Sequence, residues 1–198
     1  LPLPSAVNMP SPSFPQTAED PLIEPIAMRV PEECFYIRFG KFSNYMWLAH
    51  LLEDYGGDLK GMVTLRGHNA RLNDRMQRQL GLKETVLAKL IGDKVVSDVA
   101  LIGRDAFLFQ GAAVGILLEQ QHLLLGAEIA NQRANALQQE KENGSRHETI
   151  KIADHDVSLI STPDNRLRSF YAVDGNYHLV TTSRTIGRRF FEAGGGQR

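Results

Sequence analysis

The distribution of proline is the sequence feature that most restricts how this chain folds. Eight of the nine prolines lie within the first 31 residues of a chain of 198 residues. Proline fixes φ and removes a backbone hydrogen-bond donor, so a stretch this rich in proline neither propagates a helix nor occupies a central strand. The pattern therefore predicts a Pro-rich, extended or disordered leader over residues 1–31 and a single folded domain over residues 32–198.

The leader is expected to serve as a spacer or as an extended arm that runs along a partner. Its apolar residues are the candidate anchors in a partner's groove; they are Leu22, Ile23, Ile26 and Met28.

Short apolar runs separated by turn residues dominate the rest of the chain. Strands are predicted at residues 34–39, 95–102, 106–109, 112–119, 148–152, 156–161, 167–173 and 177–182. Helices are predicted at residues 43–55, 69–80, 83–91, 123–142 and 184–193, with Ser183 as the cap of the last. Short strands joined by tight turns favour an α+β fold, with a mainly antiparallel sheet packed against helices on one side.

Bulk composition excludes several classes of protein. A net charge of -1 gives no overall electrostatic attraction to nucleic acid. The single cysteine, Cys34, forms no intrachain disulfide and is read as a small buried apolar residue. The clean apolar run at residues 111–118 is far shorter than the ~20 residues that a membrane-spanning helix needs. The sequence therefore predicts no transmembrane span.

The motifs of common enzyme chemistry are missing from the sequence. It contains neither a glycine-rich phosphate loop nor the glycine-flanked serine of the hydrolase elbow. Adjacent acids such as Glu53 and Asp54 point in different directions on a regular element, which is poor geometry for an acid/base pair. We accordingly predict no catalytic residue and no cofactor.

One histidine cluster is a candidate for metal binding. His147 lies before a predicted strand, and Asp154 and His155 lie in the turn predicted after it. Imidazole and carboxylate groups are the usual zinc ligands, so these residues are the candidate centre of a metal-dependent hydrolase. The competing interpretation is a solvated hairpin turn, since Asp and His are common turn residues.

Basic residues form the strongest charge pattern. Arg71, Arg75 and Arg78 follow a helical spacing in the predicted helix 69–80, and Arg184 and Arg188 lie one turn apart in the last helix. Such rows bind an acidic protein surface or phosphates, although they are often only a solvated helix face. These five residues are the candidate partner-binding positions.

Two stretches resemble the ends of a module found in long, uncharacterised exported bacterial proteins of unknown function. Residues 30–45, Val-Pro-Glu-Glu-Cys-Phe-Tyr-Ile-Arg-Phe-Gly-Lys-Phe-Ser-Asn-Tyr, resemble its opening strand, glycine turn and helix. Residues 167–173 and 177–184 resemble its closing hairpin and helix. The resemblance covers residues 30–196 and implies a structural role, an exported or cell-envelope location and no active-site residue. Because such modules continue beyond their final helix, it also implies a chain truncated at its C-terminus.

The favoured functional hypothesis is a non-catalytic structural or protein-binding module of a larger bacterial protein or assembly. Its partners would be proteins or the rest of a longer chain. Two alternatives remain open: a metal-dependent hydrolase or enzyme subunit using His147, Asp154 and His155, and a nucleic-acid or acidic-partner binder using the arginine-lined helix.

Overall fold

A seven-stranded antiparallel sheet forms the centre of the protein. The computed structural model describes residues 23–45, 47, 77–82, 95–104 and 113–196. The strands are β1 (Phe35–Gly40), β2 (Val96–Gly103), β3 (Val114–Gln120), β4 (Arg146–Ile152), β5 (His155–Ser161), β6 (Arg168–Asp174) and β7 (Tyr177–Thr181). Their order across the sheet is β1-β2-β3-β7-β6-β5-β4, and every neighbouring pair is antiparallel. The predicted α+β class with an antiparallel sheet is therefore confirmed.

Two complete α-helices and two 3₁₀ helices accompany the sheet in the part of the chain that the structure describes. The α-helices are α1 (Leu124–Gln139) and α2 (Arg184–Gly194), and the 3₁₀ helices span Pro25–Arg29 and Lys141–Asn143. Gly144, with a φ of 73°, ends the second 3₁₀ helix in the left-handed conformation that glycine adopts at little cost. Residues 42–45 and 77–80 are also helical, within two helices that the sequence predicts. The remainder of those helices, the predicted helix 83–91 and the predicted strand 106–109 lie outside the described residues.

Helices cover both faces of the sheet, which corrects the prediction that they lie on one side. One apolar cluster joins Leu125 and Ile129 of α1 to the sheet, and another joins Ile186 and Phe190 of α2 to the opposite face. Successive residues of β2 and β3 alternate between the two clusters; the alternating residues are Val99, Ala100, Leu101, Ile102, Ile116, Leu117 and Leu118. The unbroken apolar runs in β2 and β3 are the sequence signal of strands that are buried on both faces.

The β4–β5 hairpin turns one residue earlier than its sequence indicates. Ile152 pairs with His155, so Ala153 and Asp154 alone form the turn, with φ values of 48° and 65°. Two positive φ values at the central positions are typical of a type I′ turn, whose twist matches that of the flanking strands. His155 and Asp156 therefore belong to β5 and not to the turn.

Residues 23–31, which the sequence assigns to the leader, lie against the domain. Ile26 is fully buried in the cluster on the α2 face, and Val30 packs against the same cluster. Residues 1–22 lie outside the described part of the chain, so the extended leader stays a prediction there. Among the helices that the structure describes, none has the length and apolarity needed to cross a membrane.

Candidate functional site

A cationic groove lies where the turn of the β4–β5 hairpin meets the beginning of α2. It encloses about 320 Å³ and is lined by Lys151, Ile152, Ala153, Arg184, Thr185 and Arg188. We call this set of residues the cationic groove. It contains Arg184 and Arg188, two of the five positions that the sequence indicates as partner-binding.

The local sequence explains why these side chains meet. The Ser183 hydroxyl accepts a hydrogen bond of 3.4 Å from the Ile186 backbone N–H, which begins α2 at this point. Ile152 and Ile186 are buried in the same apolar cluster, so the end of β4 is held against the first turn of α2. Arg184 and Arg188 lie one helical turn apart and project together from the exposed side of α2.

Positive charge exceeds negative charge around the groove. Lys151 Nζ lies 2.9 Å from Asp156 Oδ1, and Arg188 Nε lies 3.6 Å from Glu192 Oε1. Arg184 forms no ion pair with any residue that the structure describes; its Nη2 donates to the Lys151 carbonyl oxygen at 3.4 Å. The groove is therefore lined by three cations, and the two neighbouring carboxylates lie outside its lining.

His155 fixes the hairpin to α2 beside the groove. Its ring stacks face to face on the Phe191 ring, with a centroid distance of 4.1 Å and an interplanar angle of 2°. Phe191 is in turn buried against the sheet. The role that the structure gives to His155 is therefore a packing contact that holds the groove's two walls together.

The predicted metal cluster is not assembled. His147 pairs with Ile160, whereas His155 pairs with Ile152 next to the turn. The two histidines thus lie five positions of β4 apart, or roughly 16 Å at the rise of a β-strand. His147 instead contacts Ser158, with 3.0 Å between Nε2 and Oγ. In the described ranges, no three His, Cys, Asp or Glu side chains come together as metal ligands.

The described members of the two predicted arginine rows lie on opposite sides of the sheet. Arg78 is exposed on a helical turn whose neighbour Leu80 packs into the α1-face cluster, whereas Arg184 and Arg188 belong to the helix on the other face. Arg71 and Arg75 lie outside the described residues. Arg78 and the cationic groove are therefore separate surfaces.

Sequence reasoning missed a buried arginine beneath α1. Arg133 is 3% exposed, and its Nη2 donates to the Ser158 carbonyl oxygen at 2.9 Å and to the Ser169 carbonyl oxygen at 3.1 Å. The Ser169 hydroxyl accepts from Nη1, and the guanidinium carbon lies 5.6 Å from the Tyr171 ring centroid. Burial lowers the pKa of Arg133 to about 10. No sequence pattern distinguishes this arginine from the solvated ones.

A second unpredicted network links β3, β6 and β7. His178 is 4% exposed; its Nε2 lies 2.6 Å from Gln120 Oε1 and its Nδ1 lies 2.7 Å from the Tyr171 hydroxyl. Gln120 Oε1 is an acceptor, so the neutral imidazole carries its proton on Nε2 and accepts from Tyr171 at Nδ1. Burial lowers the pKa of His178. These bonds satisfy both ring nitrogens and leave no lone pair directed at a substrate.

Comparison of the chain with models of protein families, with curated proteins and with solved structures found no match. The resemblance to the exported bacterial modules therefore stays a prediction.

Proposed function

We propose that this chain is a non-catalytic protein-binding module of a larger bacterial protein, and that its cationic groove docks an acidic segment of a partner protein. One observation carries the proposal: Lys151, Arg184 and Arg188, from two elements far apart in sequence, converge on one depression. The arginine row on the last helix therefore lies in a groove to which the β4–β5 hairpin also contributes.

The chemistry of the groove favours a carboxylate-bearing ligand. Arg184 forms no ion pair within the described part of the chain, so its guanidinium is available to a carboxylate in bidentate geometry. Ala153, which is exposed in the turn, adds a small apolar surface to the lining, whereas Ile152 is buried beneath it. A protein segment with two or more acids fits a groove lined by three cations.

The expected affinity is moderate and depends on salt. Exposed ion pairs contribute about 0–1 kcal/mol each, because solvent screens them and the side chains lose freedom. The groove is therefore expected to supply orientation and rate of association more than tight binding. A larger assembly would add contacts elsewhere, in keeping with the exported or cell-envelope context that the sequence resemblance implies.

The alternative functions have less support. A metal-dependent hydrolase requires His147 near Asp154 and His155, but these residues occupy opposite ends of one hairpin. A nucleic-acid role was predicted for Arg71, Arg75 and Arg78; of these only Arg78 is described, and it lies on a surface separate from the groove. The phosphates of nucleic acid compete with carboxylates as the ligand of the groove, and an oligonucleotide of the same charge as the peptide distinguishes the two.

Fluorescence anisotropy with a labelled poly-glutamate peptide tests the proposal. The wild type should bind the peptide with an affinity that falls as salt rises. Arg184→Glu and Arg188→Glu should each weaken binding roughly three- to tenfold, because an attraction becomes a repulsion. The matched control is Arg166→Glu, which reverses an exposed arginine paired with Asp164 in the β5–β6 loop and should leave binding unchanged.

Two results would contradict the proposal. Binding that is absent, or equally weakened by Arg166→Glu, would mean that the groove is not the docking site. A single-stranded oligonucleotide of equal charge that binds much more tightly than the peptide would identify phosphate, and not an acidic protein, as the ligand.

A further inference from the structure

Strand β4 forms one edge of the sheet, and its outer side is open to another strand. The order of the described strands ends at β4, which pairs with β5 alone among them. The side chains of residues 146–149 are all exposed. An edge strand presents a row of unpaired backbone N–H and C=O groups, and this row is a template on which a further strand can pair.

The register of the β4–β5 hairpin shows which backbone groups of β4 point outward. Ile152 and His155 close the two-residue turn, so they form a hydrogen-bonded pair. Such pairs recur at every second residue, so the backbone groups of His147, Thr149 and Lys151 point away from β5. Within the described residues, no group bonds to the outward N–H or C=O of His147 or Thr149.

Existing hydrogen bonds limit the open stretch at both of its ends. The outward carbonyl oxygen of Lys151 accepts a hydrogen bond of 3.4 Å from Arg184 Nη2. At the other end, the Ser145 N–H donates to the Glu140 carbonyl oxygen at 3.2 Å. A further strand can therefore pair along residues 145–149 without displacing either bond. We call these residues the β4 edge.

Two opposite charges lie on either side of His147 at the centre of the β4 edge. Arg146 and Glu148 alternate with His147 along the strand, so both side chains lie on the same face of the sheet as Ile150, which packs into the α2-face cluster. Both are exposed, and neither forms an ion pair with a described residue. The strand that complements them has a carboxylate opposite Arg146 and a cation opposite Glu148.

We infer that the β4 edge pairs with the β4 edge of a second copy of the chain, in an antiparallel arrangement centred on His147. Reversal of the strand direction places Arg146 of each molecule opposite Glu148 of the other. These are non-hydrogen-bonded positions, where the Cα atoms are about 4.5 Å apart and side chains approach most closely. The backbone hydrogen bonds join the two His147 residues, and each Thr149 N–H donates to the Ser145 carbonyl oxygen of the other molecule.

The other registers that the outward groups permit are less favourable. A pair centred on Glu148 places two carboxylates directly opposite each other, which is destabilising. A pair centred on Thr149 requires the Lys151 carbonyl oxygen, which Arg184 already occupies. Charges on an edge strand normally oppose pairing with a further strand. Here the order of Arg146 and Glu148 makes the strand complementary to its own antiparallel copy, and this identifies the second copy as the occupant.

Light scattering after size-exclusion chromatography of the full chain tests the inference. The wild type should form a species of twice the chain mass, and its fraction should rise with concentration. Arg146→Glu and Glu148→Arg each place like charges opposite one another in both pairs, so each should weaken self-association roughly tenfold. An equimolar mixture of these two variants should recover the dimer, because every pair then joins a carboxylate to a guanidinium group.

The double variant Arg146→Glu/Glu148→Arg is the control for charge, since it exchanges the two members of each pair and should dimerise like the wild type. The backbone is tested by Thr149→Pro, which removes an outward N–H that β5 does not use and should prevent association, whereas Thr149→Val should retain it. Circular dichroism verifies that each variant is folded.

A wild type that remains monomeric at its highest soluble concentration would overturn the inference. So would a dimer that neither charge reversal weakens, or one that a folded Thr149→Pro variant still forms. Binding of an acidic peptide to the cationic groove does not depend on these outcomes, because the β4 edge ends before Lys151.

Discussion

At the scale of single residues, the most unusual feature is a buried cation without a carboxylate partner in the described residues. Arg133 is compensated by the carbonyl and hydroxyl oxygens of Ser158 and Ser169 and by the face of Tyr171. Removing a charge from water costs several kcal/mol. The hydrogen bonds of Arg133 must therefore offset the cost of burying its guanidinium group. Arg133 thereby connects α1 to β5 and β6 at one point.

Replacement of this arginine should be strongly destabilising. Arg133→Ala leaves buried acceptors unpaired and a cavity behind, so the free energy of unfolding should fall by about 2–4 kcal/mol. Arg166→Ala, which removes an exposed arginine, should change it by less than ~0.5 kcal/mol. Urea denaturation followed by circular dichroism measures both. Equal effects of the two substitutions would contradict the role given to Arg133.

The buried His178 should make stability depend on pH. Burial lowers the pKa of His178 in the folded protein, whereas the unfolded chain takes up this proton near pH ~6.5. Below that pH the unfolded state binds more protons than the folded state, so stability falls with acidification until the folded pKa is passed. His178→Gln lacks this titrating group. The free energy of unfolding of the wild type should therefore fall relative to that of the variant between about pH 8 and about pH 5. A difference that is constant over this range would refute the prediction.

At the scale of elements, the β4–β5 turn has a residue poorly suited to its conformation. Ala153 has a φ of 48°, and left-handed backbone costs a residue with a Cβ roughly 1 kcal/mol relative to glycine. Ala153→Gly should therefore raise the free energy of unfolding by ~0.5–1 kcal/mol. The control Ala130→Gly, at an exposed position of α1, should lower it by a similar amount. Thermal unfolding of both variants measures these changes. Destabilisation by Ala153→Gly would contradict the prediction.

The β4–β5 hairpin and the start of α2 show what the sequence predicts and what it leaves open. Alternating apolar residues and turn chemistry were sufficient to identify β4 and β5 and the cap at Ser183. They were not sufficient for the register, because Asp154 and His155 are equally acceptable turn residues. Because the turn lies one position earlier than predicted, His155 belongs to β5. Its ring stacks on the ring of Phe191 and is not part of a cluster of metal ligands.

At the scale of the whole molecule, the sequence predicted the class of the fold but not how its surfaces combine. The helix containing Leu80 and helix α2 were both predicted, yet no sequence pattern assigns them to opposite faces of the sheet. The cationic groove likewise depends on Lys151, which lies 33 positions before Arg184 and gives no signal of its own. Contacts between distant elements are set by the packing of the sheet, which a local pattern does not encode.

A map of where an acidic ligand binds tests the docking role of the cationic groove most directly. Titrating an isotope-labelled sample of the protein with the poly-glutamate peptide should shift the backbone amide resonances of Lys151, Ala153, Arg184, Thr185 and Arg188 in a saturable way. These changes should surround the cationic groove and disappear in Arg184→Glu. Shifts centred on the α1 side near Arg78, or no saturable shifts at any position, would contradict it.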